Sequence, residues 1–373
     1  MAHAPFPLVQ ATLLSLSLLA ACGKQDPIAP GGGDDSADES DDGSGADDSD
    51  GSGAKPKDAG GATTRDAGAK VDGGGKVDAA KPTDAGTPPK VADAGPKTPT
   101  GEDGGGSAPD AAKPTGGSTF PSVSDPLTKG PYTAKTVENT GPSNNYTIYR
   151  PTELGKDGVK HPVLTWGNGG STNPSWYPML PHLATHGFVV VAANTVPSIG
   201  AEEPLGKDML AGLDWVLAEN ERAGSDYAGK LDPTRLAPFG YSMGGLATFT
   251  IVGDPRWVTT VHISGGNMGD GVQRVDKIHV PAMFLCGEND IAGPQCDTDF
   301  KALTTQSVFY ATMMGEDHLG ILTGEWADRI RGTVTAWMRW KLMDDATFAP
   351  KFEGADCALC KDSLYKVQKK NFD

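Results

Sequence analysis

The run Gly240-Tyr241-Ser242-Met243-Gly244-Gly245 limits the fold of this chain more than any other feature, because G-x-S-x-G between a strand and a helix demands one particular backbone. A serine on so sharp a turn is held in a strained conformation, and the flanking positions leave little room for side chains. Upstream, Arg235 to Phe239 is short and mostly apolar, as a buried parallel strand is, and a helix is expected before it over about 207–221. Downstream, Leu246 to Val252 continues as an apolar helix. Starting at Met243, that helix aims its free N–H groups and positive dipole end at the serine. Pro238 departs from the pattern, since proline donates nothing to a ladder and is disfavoured in a central strand. The run reads as the nucleophile elbow of a serine hydrolase.

Composition divides the chain unevenly. From Lys24 to about Ser118 there is no aromatic residue, cysteine, leucine or methionine. With so little to bury, the segment cannot offset its ordering entropy and is expected to be a disordered tether. Its Asp-Ala-Gly units, such as Asp58-Ala59-Gly60 and Asp84-Ala85-Gly86, lack the apolar positions through which stacked repeats share a core. The Asp/Ser/Gly block over 34–50 lacks both the spaced aliphatic residue of a calcium β-roll and the closing Glu of an EF-hand loop. As a flexible coil of about 95 residues the tether would reach roughly 50 Å. More than half of the net charge of −16 falls in it, so the remainder is only mildly acidic. No basic groove interleaved with aromatics is present, which argues against a nucleic-acid partner.

The N-terminus gives the tether a purpose. Leu8 to Ala21 is apolar but too short to span a bilayer, and it ends in Leu19-Ala20-Ala21-Cys22-Gly23. The ending resembles a bacterial lipobox, which implies acylation of Cys22 as the first mature residue. Gly23, rather than Asp, then implies the outer membrane or cell surface. The alternative is an ordinary cleaved signal peptide, and the n-region carries no Lys or Arg. The expected organisation is a signal peptide over 1–22, a tether over 23–118, a folded domain over 119–345 and a C-terminal extension over 346–373.

With Cys22 lipidated, Cys286, Cys296, Cys357 and Cys360 remain, an even number in an exported, oxidising compartment. Pairing Cys286 with Cys296 and Cys357 with Cys360 is the most local of three connectivities. A zinc site is the weaker alternative, because a single C-x-x-C has no His beside it. His182 and His186 stand at i, i+4 but lack the Glu of H-E-x-x-H, so a surface helix is expected there.

A serine needs a base, and the base needs an orienting acid. Where the order is Ser, Asp, His, each follows a strand. Val280 to Cys286 reads as a strand leading to Gly287-Glu288-Asn289-Asp290, and Phe309 to Met314 as the next, leading to Gly315-Glu316-Asp317-His318. The choices are Ser242, Asp290 and His318. His262 lies inside a strand-like run and reads as a core histidine, while His279 precedes a strand, at the wrong end for catalysis. Asp317 is too close to His318 to orient it, Asp297 and Asp299 belong to the following helix, and Glu288 is the nearest rival acid. After the strand Pro162 to Trp166, Gly167-Asn168-Gly169-Gly170 offers backbone N–H groups to an oxyanion; no Gly-Lys-Ser/Thr follows, which excludes a P-loop. The donors are expected on the amides of Met243 and Asn168, with Gly169 second in line for the latter.

Over about Thr119 to Met343 the chain resembles bacterial cutinases and poly(ethylene terephthalate) hydrolases, within the dienelactone-hydrolase-like branch of the α/β-hydrolases. The matching pieces are His182 to Val191, Gly240 to Gly245, Val280 to Pro294, Gly315 to His318 and Trp337 to Trp340. The resemblance implies a mostly parallel sheet with helices on both faces, Ser242 as nucleophile, Asp290 as acid, His318 as base, and no cofactor. It implies a small-molecule or polymeric ester substrate. Two departures bear on which ester. Asn168 stands where polyester hydrolases carry an aromatic residue, and Ser264-Gly265-Gly266-Asn267-Met268 where they carry a tryptophan. Tyr241, beside the nucleophile, and Gly169 remain as expected substrate contacts. The segment from Ser264 to His279 is too short for a helical cap, so an open cleft is expected; separately, the protein is expected to be a monomer. A peptidase, an acyltransferase or a non-catalytic binding module on the same scaffold are the alternative functions.

Overall fold

The computed structural model describes residues 119–267 and 272–372. The expectations for the signal peptide, Cys22 and the tether therefore lie outside the described residues, as does Met268.

Strands β1 (Ala134–Thr140), β2 (Tyr146–Pro151), β3 (His161–Gly167), β4 (Val189–Ala193), β5 (Leu231–Tyr241), β6 (Thr260–Ile263), β7 (Ala282–Gly287), β8 (Val308–Met313) and β9 (Tyr365–Lys370) form one sheet in the order β1-β2-β4-β3-β5-β6-β7-β8-β9. From β4 through β8 every pairing is parallel, while β1–β2, β2–β4 and β8–β9 are antiparallel. The helices are α1 (Met179–Thr185), α2 (Glu202–Glu221), α3 (Met243–Ile251), α4 (Val272–Val275), α5 (Gly293–Ala302), α6 (Gly324–Met343) and α7 (Ala358–Lys361).

Alternation along the strands sorts the core into two faces, because successive side chains of a strand point to opposite sides. Leu164 and Trp166 of β3, Ala237, Phe239 and Tyr241 of β5, and Phe309 and Ala311 of β8 pack with α1 and α6. Val163 of β3 and Leu236 of β5 face the other way, onto α2 and α3. Ala282 and Phe284 of β7 and Val308 and Tyr310 of β8 join α5 on that side. Both faces of the central strands are buried, which is why these strands read as continuous apolar runs rather than alternating ones. The α/β architecture with a mostly parallel sheet and helices on both faces is as the sequence implied.

Three features differ from expectation. Residues 346–372 are not an extension: β9 pairs along the whole of β8, and Phe348, Phe352, Cys357 and Leu359 are buried in the main core. Helix α1 is not a surface helix, because His186 is fully buried and its Nε2 bonds the Thr128 carbonyl oxygen at 3.1 Å, with His182 Nε2 on that of Pro126 at 2.8 Å. Pro238 does lie in central β5, opposite Thr165 of β3; the β6 ladder begins one residue later at Phe239, so the missing donor falls where pairing to β6 is interrupted.

Candidate active site

The turn from β5 into α3 is built by glycines in backbone contact. A Cβ on Gly244 would lie 1.8 Å from the Gly167 carbonyl oxygen, and one on Gly240 2.2 Å from that of Gly244. Any side chain there would force α3 off β3. Ser242 sits at φ 53° and ψ −117°, a left-handed region that costs a non-glycine residue about 1–3 kcal/mol. Its N–H donates to the Ile263 carbonyl at 2.9 Å, which fixes the turn against β6.

The strained turn brings the Ser242 hydroxyl to 2.8 Å from His318 Nε2, in the loop after β8. On the other side of that ring, Nδ1 lies 2.7 Å from Asp290 Oδ1, in the loop after β7. A carboxylate only accepts, so Nδ1 carries the proton and Nε2 is left to accept from the hydroxyl. Asp290 is held by the Ala292 N–H, 2.8 Å from Oδ1, and by the Ser264 hydroxyl. Burial pushes its carboxyl pKa up, but the hydrogen bond and charge of His318 with these two donors outweigh burial and leave it below the ordinary value. Ser242, His318 and Asp290 are only 5%, 7% and 5% exposed, so bulk water screens the chain of hydrogen bonds little.

The loops that carry Asp290 and His318 are stitched together. Glu288 Oε2 accepts the Gly315 N–H at 2.8 Å, Asn289 N–H donates to the Glu316 carbonyl at 2.8 Å, and Asn289 Nδ2 to that of Gly315 at 3.2 Å. Glu288 is thus occupied as a loop tie rather than placed on the imidazole. Asp317 caps its own turn through the Leu319 N–H at 2.8 Å. His262 is stacked between Phe249 and Phe284 and bonded to Gly245 and Thr260; burial pulls its pKa down to about 3, so it is a neutral core residue. His279 precedes β7, as read.

Met243 is the first residue of α3, where helical N–H groups have no partner within the helix. Asn168 follows β3 with its side chain fully buried: Oδ1 accepts the Trp166 indole N–H at 2.9 Å, and Nδ2 donates to the carbonyls of Ala193 at 2.6 Å and Thr195 at 3.0 Å. Two expected substrate contacts are corrected. Tyr241 is 1% exposed and turned inward, its hydroxyl donating to the His318 carbonyl at 2.8 Å. Gly169 is buried against that ring, and its N–H is taken by the Tyr177 hydroxyl at 2.9 Å, so it offers no second oxyanion donor. Cys286 is bonded to Cys296 and Cys357 to Cys360. The residues that sequence reasoning missed are Tyr177, Ser264 and Ala292; Ser264 stood in a noticed Ser-Gly-Gly run, but nothing in the sequence pointed it at Asp290.

A serine on a strained strand-to-helix turn after β5, with an aspartate after β7 and a histidine after β8, all at the carboxyl ends of parallel strands of one sheet, fits the α/β-hydrolase fold. A family model described as PET hydrolase-like matches residues 113–370, more than half of the chain, and the chain belongs to that family. It is 30% identical over 149 residues to "Cutinase est1" of Thermobifida alba, covering 40% of this chain and 47% of that one. It is 24% identical over 168 residues to "Cutinase cut1" of Thermobifida fusca, 45% and 48% of the two chains. The "Bis(hydroxyethyl) terephthalate hydrolase" of Streptomyces coelicolor is 32% identical over 102 residues, 27% and 31%. In each case the match spans about half or less of the relative's own length.

Proposed function

We propose that this protein is a serine carboxylic-ester hydrolase. The observation that carries the reading is the continuous hydrogen-bond chain from the Ser242 hydroxyl through His318 to Asp290, on a strained turn at the N-terminus of α3. Ser242 Oγ attacks the ester carbonyl while His318 Nε2 takes its proton. Asp290 holds the imidazole orientation and the charge that forms on it. The Met243 and Asn168 amides receive the tetrahedral oxyanion, a donor of this kind being worth roughly 3 kcal/mol. His318 returns the proton to the leaving alcohol, the acyl-enzyme forms on Ser242, and water activated by His318 releases the acid. The names of the relatives, cutinases and a terephthalate-ester hydrolase, support ester substrates.

Among the described residues, no aromatic side chain of the Asn168 loop or of Ser264 to Asn267 is available to clamp an aromatic acid. The Asn168 side chain is spent on the core, and the second segment is Ser-Gly-Gly-Asn. Short and medium aliphatic esters are therefore the proposed substrates ahead of poly(ethylene terephthalate). Export and lipid anchoring at Cys22, with 23–118 as tether, complete the proposal; the apolar run ending in Leu19-Ala20-Ala21-Cys22 and the two disulfides support it.

The test is turnover of p-nitrophenyl esters of graded acyl length by the full chain beside Ser242→Ala and Asp290→Asn. Wild type is expected to hydrolyse at least the shorter esters, Ser242→Ala to lose turnover at least a thousandfold, and Asp290→Asn to lose a large part of it. No turnover by wild type, or equal turnover by Ser242→Ala, contradicts the proposal.

A further inference from the structure

Two buried tyrosines join the oxyanion loop to the loop that carries the histidine. Tyr241 and Tyr177 are each 1% exposed, and their rings meet edge to face at 5.9 Å between centroids. At one end, the Tyr241 hydroxyl donates to the His318 carbonyl at 2.8 Å, and the Tyr241 and His318 rings lie 5.4 Å apart. At the other, the Tyr177 oxygen accepts the Gly169 N–H at 2.9 Å and bonds the Thr172 hydroxyl. Thr172 donates to the Gly169 carbonyl at 2.7 Å, so the proton between the two hydroxyls belongs to Tyr177. Every polar atom of this ring of bonds is then satisfied, and both the N–H and the carbonyl of Gly169 are held.

Contact as well as hydrogen bonding fixes the spacing. A Cβ on Gly169 would lie 2.7 Å from the Tyr241 ring and 3.0 Å from the Tyr177 hydroxyl, so the loop rests directly on the two tyrosines. Trp166 packs edge to face on Tyr177 at 4.8 Å and donates its indole N–H to Asn168, which carries the proposed oxyanion amide. Burial raises both phenols well above their ordinary range, so both remain neutral donors.

We propose that Tyr241 and Tyr177 are positioning residues, a buried brace that holds the Asn168–Thr172 oxyanion loop at a fixed distance from His318. Neither touches substrate. The brace places the oxyanion donor and the general base in register, and both must act on one tetrahedral centre. A displacement of about 1 Å between such groups is enough to cost on the order of a hundredfold in rate. The inference rests on the serine-hydrolase reading above.

The test uses the full chain with Tyr241→Phe, Tyr177→Phe, the double variant, and Thr172→Val, which removes the acceptor of the Tyr177 hydroxyl without touching either ring. Ester kinetics, labelling by a fluorophosphonate and inhibition by an alkylboronic acid that mimics the tetrahedral state are measured beside the thermal midpoint. Each single variant is expected to lower kcat and the labelling rate about tenfold with KM within twofold, and to weaken boronate binding by a similar factor. The double variant is expected to lose little more than one single variant, because breaking either end already frees the brace. Single variants that retain kcat within twofold, that change KM alone, or whose losses simply multiply in the double variant overturn the brace and leave the hydrolase intact. An inactive wild type overturns the hydrolase reading itself.

Discussion

At the scale of single residues, chemistry forces some identities and leaves others free. Ser242, Asp290 and His318, which the fold brings within hydrogen-bond distance of one another, were legible as a group because only a few residue types can serve as nucleophile, acid and base and each is expected after a strand. Tyr177, Ser264 and Asp299 were not, because their roles come from neighbours distant in sequence. Asp299, on α5, shows how far burial alone can shift a group. Its carboxyl is 2% exposed and raised to about 7, the loss of solvation outweighing the N–H that Asn267 donates to it at 2.6 Å. The unfolded carboxyl titrates near ~3.9, so the folded chain holds this proton more tightly. The stability that the protonated group contributes is whole below about pH 4 and is lost as the pH rises through about 7. Asp290 has the opposite sign: its lowered pKa contributes stability that is lost on acidification. Thermal midpoints measured from pH 4 to 8 should show wild type losing stability relative to Asp299→Asn across that window. Parallel curves for the two proteins would contradict the assignment.

Among elements, the central strands were the most legible, because strands buried on both faces read as short apolar runs. Helix ends were less so. Helix α2 begins at Glu202, ahead of the expected start near 207, and its first turn places Glu202 and Glu203 at the positive end of the helix dipole while Leu205 is buried in the core. Strand β9, Tyr-Lys-Val-Gln-Lys-Lys, was missed for a related reason: an edge strand carries lysines that discourage further pairing, so it does not look apolar. The disulfide from Cys286 at the end of β7 to Cys296 on α5 closes a loop of separation 10 that carries Asp290. Closing a loop of that length restricts the unfolded chain by roughly 2–3 kcal/mol. Cys286→Ala with Cys296→Ala should lower the unfolding free energy by about that amount in denaturant titration, and an unchanged midpoint would show that the crosslink contributes nothing.

For the whole molecule, composition separated a segment with nothing to bury from a chain able to fold, but the boundary at 345 was wrong. Phe348, Phe352 and Cys357 complete the face of the sheet that carries α6, and a core of this kind is recognised by what it covers rather than by local pattern. The proposed anchor is a statement about the molecule's location. Cys22→Ala is expected to move the protein from the membrane fraction to the soluble fraction, and unchanged membrane retention would sink the lipid anchor while leaving the hydrolase untouched. The central claim, that the strained elbow carries an activated serine, is tested most directly by treating the full chain with a fluorophosphonate and locating the adduct by peptide mass spectrometry. A single adduct on Ser242, absent in Ser242→Ala and strongly slowed in His318→Ala, is the predicted result. No adduct on Ser242, or the same rate of labelling without His318, would contradict it.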